Sequence, residues 1–391
     1  MDLEPVQRFM REQRIDAWLL YDFRGSNPVF AQLLPGDRFT TRRALLFVPS
    51  TGKAELLAHQ IDASQYHDVW VQVQQYLSWQ DLHDWIKSHV KGRPRIAMEY
   101  SAQNALPVVS VTDAGTVELV RACGAADIVS SADLIQICVA QWNVDAQRNH
   151  AKASADVARI KDEAFDQIRQ ALRGDSRITE LDVQQHIMQR FADAGLETPD
   201  PPIVAVNDHA GDPHFEVSTA APTEIRRGDW MLIDLWARVP GDANIFSDIT
   251  WCGCAGQPSA RHREVYSAVK AARDACVNRA TQAWQAKEQV QGWQLDDAAR
   301  QVIIERGYEK FIRHRTGHSL SPGPKVHGLG VNIDNLETHD TRRILPGIGF
   351  TVEPGIYLPE FGVRLEINVF VDPKKGPTIS SCVQDDIVIC A

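Results

Sequence analysis

The last quarter of the chain carries short motifs that place acidic residues and a histidine beside glycine or proline. They are Gly317-His318, Thr351-Val-Glu-Pro-Gly355 and Gly362-Val-Arg-Leu-Glu366. Upstream, two apolar strand patterns each contain one aspartate. The motifs therefore supply one imidazole and four carboxylates, namely Asp234, Asp248, His318, Glu353 and Glu366. Hard oxygen donors without a thiolate are typical of a pair of divalent Mn, Co or Zn ions that assist hydrolysis.

Charge balance favours two metal ions over one. Four carboxylates that converge on one point would repel one another, and some would be forced to hold protons. Two divalent cations balance the four negative charges and permit a shared water, whose pKa falls from about 15.7 towards roughly 7. The sequence has no His-Glu-x-x-His motif and no pair of Cys-x-x-Cys motifs, so other metal sites fit less well.

The stretch 363–371 alternates apolar and polar residues with the period of a β-strand. One face is apolar throughout, and the other carries Arg364, Glu366 and Asn368. An edge strand with one face in water shows the same pattern, so this alternative stays open. A position in water is harder to assume for Asp234, because Asp234 shares its strand face with the apolar residues Leu232 and Trp236. A charge buried there needs a partner or a metal.

These motifs resemble those of the pita-bread metallopeptidases, which include methionine aminopeptidase, aminopeptidase P and prolidase. The resemblance covers the whole chain and implies an α/β N-terminal domain of the creatinase/prolidase type over residues 1–143. Residues 144–391 would form the α+β pita-bread catalytic domain. By the same resemblance, the five residues above bind two metal ions, most simply manganese. Glu353 would also bind the bridging hydroxide and act as general base and acid.

Two further histidines match segments of the family. Pro213-His214-Phe215 is similar to a Pro-His-Tyr segment whose histidine contacts the substrate and the tetrahedral intermediate. Val326-His327 matches a second histidine, which polarises the scissile carbonyl or binds its oxyanion, and imidazole suits this role as a hydrogen-bond donor. The resemblance also implies that Tyr357 and Arg364 orient ligands or hold a substrate carboxylate.

Two neighbouring histidines are not assigned to the site. His209 lies in the same polar loop as His214 but lacks the family context. His314 precedes His318 by four residues, a spacing that would suit a helical metal pair, but Gly317 between them argues against a helix. We therefore expect His318 alone to be a ligand and His314 to lie at the rim.

The chain departs from the family pattern around the expected substrate pocket. Gly328-Leu-Gly330 stands where the family usually has Glu and then Pro, and Phe215 replaces a tyrosine. His318 is followed by Ser-Leu-Ser-Pro-Gly323, where small residues and an isoleucine are usual. The five ligands survive these changes.

A further departure lies between the two aspartates. Asp234 and Asp248 are fourteen residues apart, three more than usual. We expect the extra residues in the turn 239–244, whose composition favours a turn. Arg342 and Arg343 lie near a substrate-binding arginine of some prolidases, although the registers do not match.

Length and charge exclude several classes of protein. A chain of 391 residues predicts two or three domains. The 41 basic and 51 acidic residues give a net charge of −10 without a basic run, so neither nucleic acid nor an anionic membrane is expected as a partner. No apolar segment approaches the length of a membrane span, and residues 1–10 are unlike a signal peptide.

The seven cysteines are scattered along the chain. Cys252 and Cys254 could form a thiol site, but two small buried residues in a strand are the simpler interpretation. The cysteine usage favours a reducing cytoplasm.

The elements that must carry the site alternate between helix and strand. In the first domain, the patterns predict helices at 6–13 and 81–90 and strands at 16–21, 44–48 and 95–99. In the second, they predict helices at 144–172, 259–284 and 294–306, a further helix that starts at Thr179, and a strand at 203–206. The predicted ligands fall on strands and strand ends.

The resemblance predicts an enzyme, a homodimeric dinuclear exopeptidase that hydrolyses the Xaa-Pro bond of small peptides. Chain length and the arginine candidates favour a dipeptidase of the prolidase type over an aminopeptidase P that acts on longer peptides. Two other classes share the fold: metal-free C–N hydrolases like creatinase, and catalytically silent binding proteins. Retention of all five ligands argues against both.

Overall fold

The computed structural model describes residues 2–390, which divide after Val139 into two compact units. The strands of the first unit are β1 (Ala17–Phe23), β2 (Arg43–Pro49), β3 (Glu55–His59), β4 (Gln72–Tyr76), β5 (Arg95–Met98) and β6 (Asp127–Ser130). Its helices are α1 (Glu4–Glu12), α2 (Pro28–Leu33), α3 (Trp79–Val90), α4 (Ala114–Ala122) and α5 (Ala132–Val139). The strands form one mixed sheet in the order β4-β3-β2-β1-β5-β6. The predicted α/β fold of this half is confirmed.

A buried carboxyl group directly follows strand β5 in the first unit. Glu99 has no exposed surface, and its carboxylate accepts hydrogen bonds from Trp18 Nε1 (2.6 Å), Asn27 Nδ2 (2.8 Å) and Ser131 Oγ (2.9 Å). Burial, opposed by these three hydrogen bonds, raises the pKa of Glu99 to about 7. This network joins four separate elements of the unit.

The second unit is an α+β fold, as predicted. Its helices are α6 (Val144–Arg173), α7 (Glu180–Asp193), α8 (Ala260–Ala286) and α9 (Gly292–Glu305). Its strands are β7 (Ile203–Val206), β8 (Trp230–Ala237), β9 (Ser247–Cys254), β10 (Ser319–Leu320), β11 (Gly349–Val352), β12 (Gly355–Tyr357), β13 (Gly362–Arg364), β14 (Ile367–Asp372), β15 (Gly376–Ile379) and β16 (Val388–Ile389). They form three sheets in the orders β16-β9-β8-β7, β10-β11-β14-β15 and β12-β13.

The helix starts follow from capping side chains. Asn143, the last residue of the first predicted domain, caps α6 by accepting a hydrogen bond from Ala146 N. Thr179 and Asp182 form the predicted capping box at the start of α7. Within residues 2–390, every helix is too short or too polar to cross a membrane.

Strand β8 separates two apolar cores of the second unit. Its residues Met231, Ile233 and Leu235 pack in the core that α6 and α7 cover, whereas Trp230 and Leu232 pack in the core of α8 and α9. Both faces of the strand are therefore buried. The strand turns back into β9 through residues 238–246, which include the expected turn 239–244.

The stretch 363–371 is not the single strand that its pattern predicts. It forms β13 and β14, which pair with different strands, β12 and β11. Arg364, Glu366 and Asn368 are all buried, so the alternative of an edge strand with one face in water is wrong.

The break between β13 and β14 has a physical cause on strand β9. Glu366 N donates to Thr250 O (3.2 Å), and the Glu366 carboxylate accepts from Thr250 Oγ1 (2.8 Å). Asn368 Oδ1 accepts a hydrogen bond from Asp248 N (3.0 Å). The polar face of this stretch therefore lies against β9. From the sequence alone, exposure of this face to water had remained an alternative.

Candidate metal centre

A cavity of about 730 Å³ lies in the second unit and collects the ligand-type side chains predicted from the sequence. All five line it: Asp234, Asp248, His318, Glu353 and Glu366. His214, His327 and Arg364 line it as well, whereas Tyr357 lies behind Arg364. The cavity volume falls within the usual range for small-molecule sites, roughly 300–1,000 Å³.

The hairpin of β8 and β9 places the two aspartates on one face. In its register, Asp234 lies opposite Thr250, and Trp236 lies opposite Asp248. Asp234 and Asp248 are therefore diagonal neighbours on the same face of the sheet. Further along this face, Leu232 and Cys252 are packed in the apolar core. Only the polar end of the face turns towards the cavity.

Asp248, His318 and Glu366 form a compact group. One ligand atom from each lies within 4.8 Å of the others, and all three residues are buried. His318 Nε2 lies 3.4 Å from Asp248 Oδ2 and 3.6 Å from Glu353 Oε1. These residues come from three separate segments of the chain, so the folded sheets bring them together.

Thr351 ties His318 to Glu353. Its hydroxyl accepts a hydrogen bond from His318 N (2.9 Å) and donates one to Glu353 Oε1 (3.0 Å). Glu353 N also donates to Thr316 O (2.7 Å). Glu353 is therefore held just after β11, close to His318, which immediately precedes β10.

The carboxylates repel one another because they are buried together. Burial, together with the charges of Asp234 and Glu353, raises the pKa of Asp248 well above its usual range. Burial and the charge of Asp248 do the same to the pKa of Glu366. The pKa of Glu353 is raised to about 7 by burial and by Asp234, against the opposing charge of Arg364. Bound cations would stabilise the ionised forms of all these groups.

The donor set fits a pair of divalent ions. It comprises four carboxylates and one imidazole, and burial and the neighbouring His327 lower the pKa of His318, which leaves its ring neutral and able to bind a metal. Asp234 Oδ1 is buried and accepts no hydrogen bond from any described residue. A buried carboxylate oxygen without a partner is costly, and a metal ion would supply one.

Arg364 is engaged by protein groups on several sides. Its Nη2 donates to Asp234 Oδ2, its Nε to Thr250 Oγ1 (3.0 Å), and its Nη1 to Tyr357 Oη (3.0 Å) and Pro213 O (3.2 Å). Of the two roles suggested for Arg364, orientation of a ligand therefore fits these contacts better than capture of a substrate carboxylate.

His314, which was expected at the rim, lines the cavity and is partly exposed. Its Nε2 lies 2.6 Å from Tyr357 Oη, so it extends the chain of hydrogen bonds from Arg364 through Tyr357. Burial and the charge of Arg364 lower the pKa of His314 to about 3, so the ring is neutral. His314 lies outside the group of Asp248, His318 and Glu366.

The two histidines expected to contact the substrate both face the cavity. The His327 ring lies over His318, with 4.0 Å between the ring centroids. His327 is exposed as a whole residue, yet partial burial of its ring and the charge of Arg315 lower its pKa to about 4. His214 is exposed and is carried on the loop whose Pro213 carbonyl accepts from Arg364.

Sequence reasoning missed two cationic residues in the cavity. Arg315 pairs with Glu337 through Nη1 and Oε2 (2.9 Å), and both line the cavity. Lys325 also lines it; it is exposed and has no ion-pair partner among the described residues. The basic character of both was visible beside the histidine motifs, but no spacing rule places either residue in the site.

The arginine candidate at position 342 is a structural residue. Arg342 is 1% exposed, pairs with Asp340 and donates to Leu329 O (2.9 Å). Its charge is therefore not available to a substrate. His209 is likewise occupied, since its Nδ1 lies 2.8 Å from Glu180 Oε1 and its ring stacks on Phe215.

The fold and the cavity together are those of a metallopeptidase. The model of metallopeptidase family M24 matches residues 152–373, more than half of the chain, and the chain belongs to this family.

Its relatives include dipeptidases. The chain is 30% identical to the probable dipeptidase PepE of Mycobacterium tuberculosis over 54% of its own length and 52% of that protein. It is 33% identical to the Xaa-Pro dipeptidase of Pyrococcus furiosus over 43% of its own length and 44% of the relative. The matches thus span about half the length of these relatives. The crystal structure of dipeptidase PepE from Mycobacterium ulcerans has the same fold, with a TM-score of 0.70 at 21% identity over 99% of this chain and 96% of that one.

Proposed function

We propose that the protein is a dinuclear metallo-exopeptidase that hydrolyses the Xaa-Pro bond of dipeptides. The observation that carries this proposal is the convergence of four carboxylates and one imidazole in a single cavity of a family M24 chain. Asp234, Asp248, His318, Glu353 and Glu366 would hold two divalent ions. When bound, such ions acidify a water molecule and polarise the scissile carbonyl.

Glu353 is the proposed general base and acid. Its carboxylate lines the cavity and is oriented by the Thr351 hydroxyl (3.0 Å). It would accept a proton from the attacking water and pass it to the departing proline nitrogen. The second transfer is needed because an amine anion is a poor leaving group.

His327 and His214 are the proposed donors to the developing oxyanion. The lowered pKa of His327 leaves its ring neutral near pH 7, with one N–H available to donate. A neutral donor strengthens its hydrogen bond as negative charge grows on the carbonyl oxygen, and this difference between ground and transition state is what accelerates a reaction.

A dipeptidase must also bind the free carboxylate of its substrate. Arg364 is engaged by Asp234, and Arg315 is paired with Glu337. Lys325 lines the same cavity and has no ion-pair partner among the described residues. We assign it the contact with the substrate carboxylate, which favours a dipeptidase over an aminopeptidase P.

Metal, assembly and location complete the proposal. Manganese suits a site in which oxygen ligands outnumber nitrogen, with cobalt or zinc as alternatives. We infer a homodimer on the grounds of the family resemblance. The seven cysteines are all free, as in proteins of a reducing compartment, so we place the protein in the cytoplasm.

The decisive experiment compares hydrolysis of Ala-Pro, Ala-Pro-Ala and Ala-Ala after chelation and again after addition of manganese. Metal-dependent cleavage of Ala-Pro alone would support the dipeptidase. Cleavage of the tripeptide would favour aminopeptidase P. If no peptide is cleaved while metal is bound, the peptidase proposal is wrong.

A further inference from the structure

Two segments in which the chain departs from the family pattern are bonded to each other. One is the turn 239–244 between β8 and β9, and the other is the segment 319–323 that follows His318. Gly323 N donates to Asp242 O (2.7 Å), and Gly323 O accepts from Arg238 Nη1 (2.5 Å). The turn and Arg238, the residue just before it, therefore hold both backbone groups of Gly323.

The side chain of Arg238 is held by several contacts besides its hydrogen bond to Gly323. Its Nε donates to Glu197 Oε1 (2.7 Å), and its Nη2 donates to Asp242 Oδ1 (2.7 Å). The guanidinium carbon lies 4.5 Å from the centroid of the Phe246 ring, and the residue is 4% exposed. Each nitrogen of the guanidinium thus has a partner, which holds the fork in one orientation.

The segment from Gly323 to Gly328 forms part of the cavity wall. Pro324, Lys325, Val326 and His327 all line the cavity. At the far end, Gly328 N donates to Ser319 O (2.8 Å). The wall segment is therefore tethered at Gly323 by Arg238 and at Gly328 by Ser319, and His327 lies between the two tethers.

We propose that Arg238 is a positioning residue that holds His327 over His318 through its hydrogen bond to Gly323. The inference rests on the proposed function of His327 as an oxyanion donor. Such a donor acts only when it is held within about 0.5 Å of its productive position. Release of one tether lets the wall segment move, so the rate falls although no metal ligand is touched.

The test compares Arg238→Ala with Arg273→Ala in the manganese-loaded full chain. Arg273 is a matched control because it is also buried and donates to a backbone carbonyl, Gln384 O (2.8 Å), but does not line the cavity. We expect Arg238→Ala to lower kcat for Ala-Pro roughly 10- to 100-fold with unchanged metal content. Arg273→Ala should leave kcat within about twofold of the parent.

A double-mutant cycle separates positioning from general destabilisation. If Arg238 acts through His327, Arg238→Ala should have little further effect on kcat in a His327→Ala background. An equal loss of kcat in both backgrounds would overturn the inference. Should Arg238→Ala fail to fold, Glu197→Gln loosens the same fork more gently and should show the same dependence on His327.

A second measurement does not depend on peptidase activity. Lys325 is exposed, so native-state digestion with trypsin reports on the freedom of the Lys325-Val326 bond. Cleavage there should be faster in Arg238→Ala than in the parent and Arg273→Ala. An unchanged rate would contradict the tether, whether or not the parent hydrolyses Ala-Pro. Faster cleavage of Arg238→Ala, together with a parent that hydrolyses no peptide, would retain the tether and reject the proposed function alone.

Discussion

The carboxylate of Asp234 and the guanidinium of Arg364 form a buried ion pair in which one carboxylate oxygen is occupied and the other is not. Arg364 Nη2 donates to Asp234 Oδ2, whereas Asp234 Oδ1 accepts no hydrogen bond from any described residue. Arg364 therefore both neutralises Asp234 and fixes its rotation. The unpaired oxygen, Asp234 Oδ1, belongs to a residue that lines the cavity, where a metal ligand is needed.

The first prediction concerns this ion pair. Arg364→Met should lower manganese affinity roughly 10- to 100-fold, because groups that orient metal ligands have effects of this size. The uncompensated buried charge should also lower the free energy of unfolding of the metal-free protein by about 3–5 kcal/mol. Metal titration by calorimetry and urea unfolding would measure the two effects.

Arg342→Met is the matched control for that experiment. Arg342 also forms a buried ion pair, with Asp340, but does not line the cavity. We expect a similar loss of stability with unchanged manganese affinity. Equal losses of affinity in both variants would mean that the Asp234–Arg364 pair has no special relation to the metal.

The second prediction concerns the general base. Glu353→Ala should lower turnover of Ala-Pro by about 10²- to 10⁴-fold, the usual contribution of a positioned proton carrier, while the protein stays folded. Steady-state kinetics and near-ultraviolet circular dichroism would measure both. Glu337→Gln changes another carboxylate of the same cavity that is already paired with Arg315, and it should have a much smaller effect. Unchanged turnover in Glu353→Ala would remove the proposed base.

The third prediction separates His327 from the metal ligands. His327→Ala should lower kcat by about 10²- to 10³-fold, as expected for loss of an oxyanion donor, with little change in bound manganese. Kinetics and metal analysis after dialysis would be compared with those of His339→Ala, an exposed histidine outside the cavity lining. Loss of metal in His327→Ala would show that a ligand had been misassigned.

Local patterns account for the parts of the fold that the sequence predicted. The capping box of Thr179 and Asp182 starts α7, and period-two alternation places Asp234 on one face of β8, since both signals act over a few residues. The contacts of the cavity are different. Arg364 and Asp234 are 130 residues apart, and Arg238 reaches Gly323 across 85 residues. No local pattern encodes such pairs.

The same limit explains why the prediction of a single strand at 363–371 is wrong. The stretch 363–371 has the alternation of one strand, but its division depends on hydrogen bonds to Thr250 on β9, over 100 residues away in the chain. For His314, the sequence argued only against a helical metal pair with His318, because Gly317 lies between them. Its place in the cavity depends on Tyr357, which only the fold brings to it.

The last prediction concerns the first unit and the pH dependence of stability. Glu99 has a pKa of about 7 in the folded chain, against an ordinary value of 4.5. The folded state therefore holds this proton more tightly than the unfolded state does. The stabilising contribution of the protonated Glu99 is complete below the pKa of the unfolded chain. This contribution is lost as the pH rises through about 7, the pKa of the folded chain. The pKa difference corresponds to roughly 3 kcal/mol.

Glu99→Gln should remove this dependence because the amide does not titrate. Urea unfolding of the chelated full chain between about pH 5 and pH 8 should show a fall in the unfolding free energy of the parent that is smaller in Glu99→Gln. Glu118→Gln changes an exposed glutamate of the same unit and should follow the parent curve. Parallel curves for the parent and Glu99→Gln would mean that the three hydrogen bonds from Trp18, Asn27 and Ser131 compensate the burial of the charge.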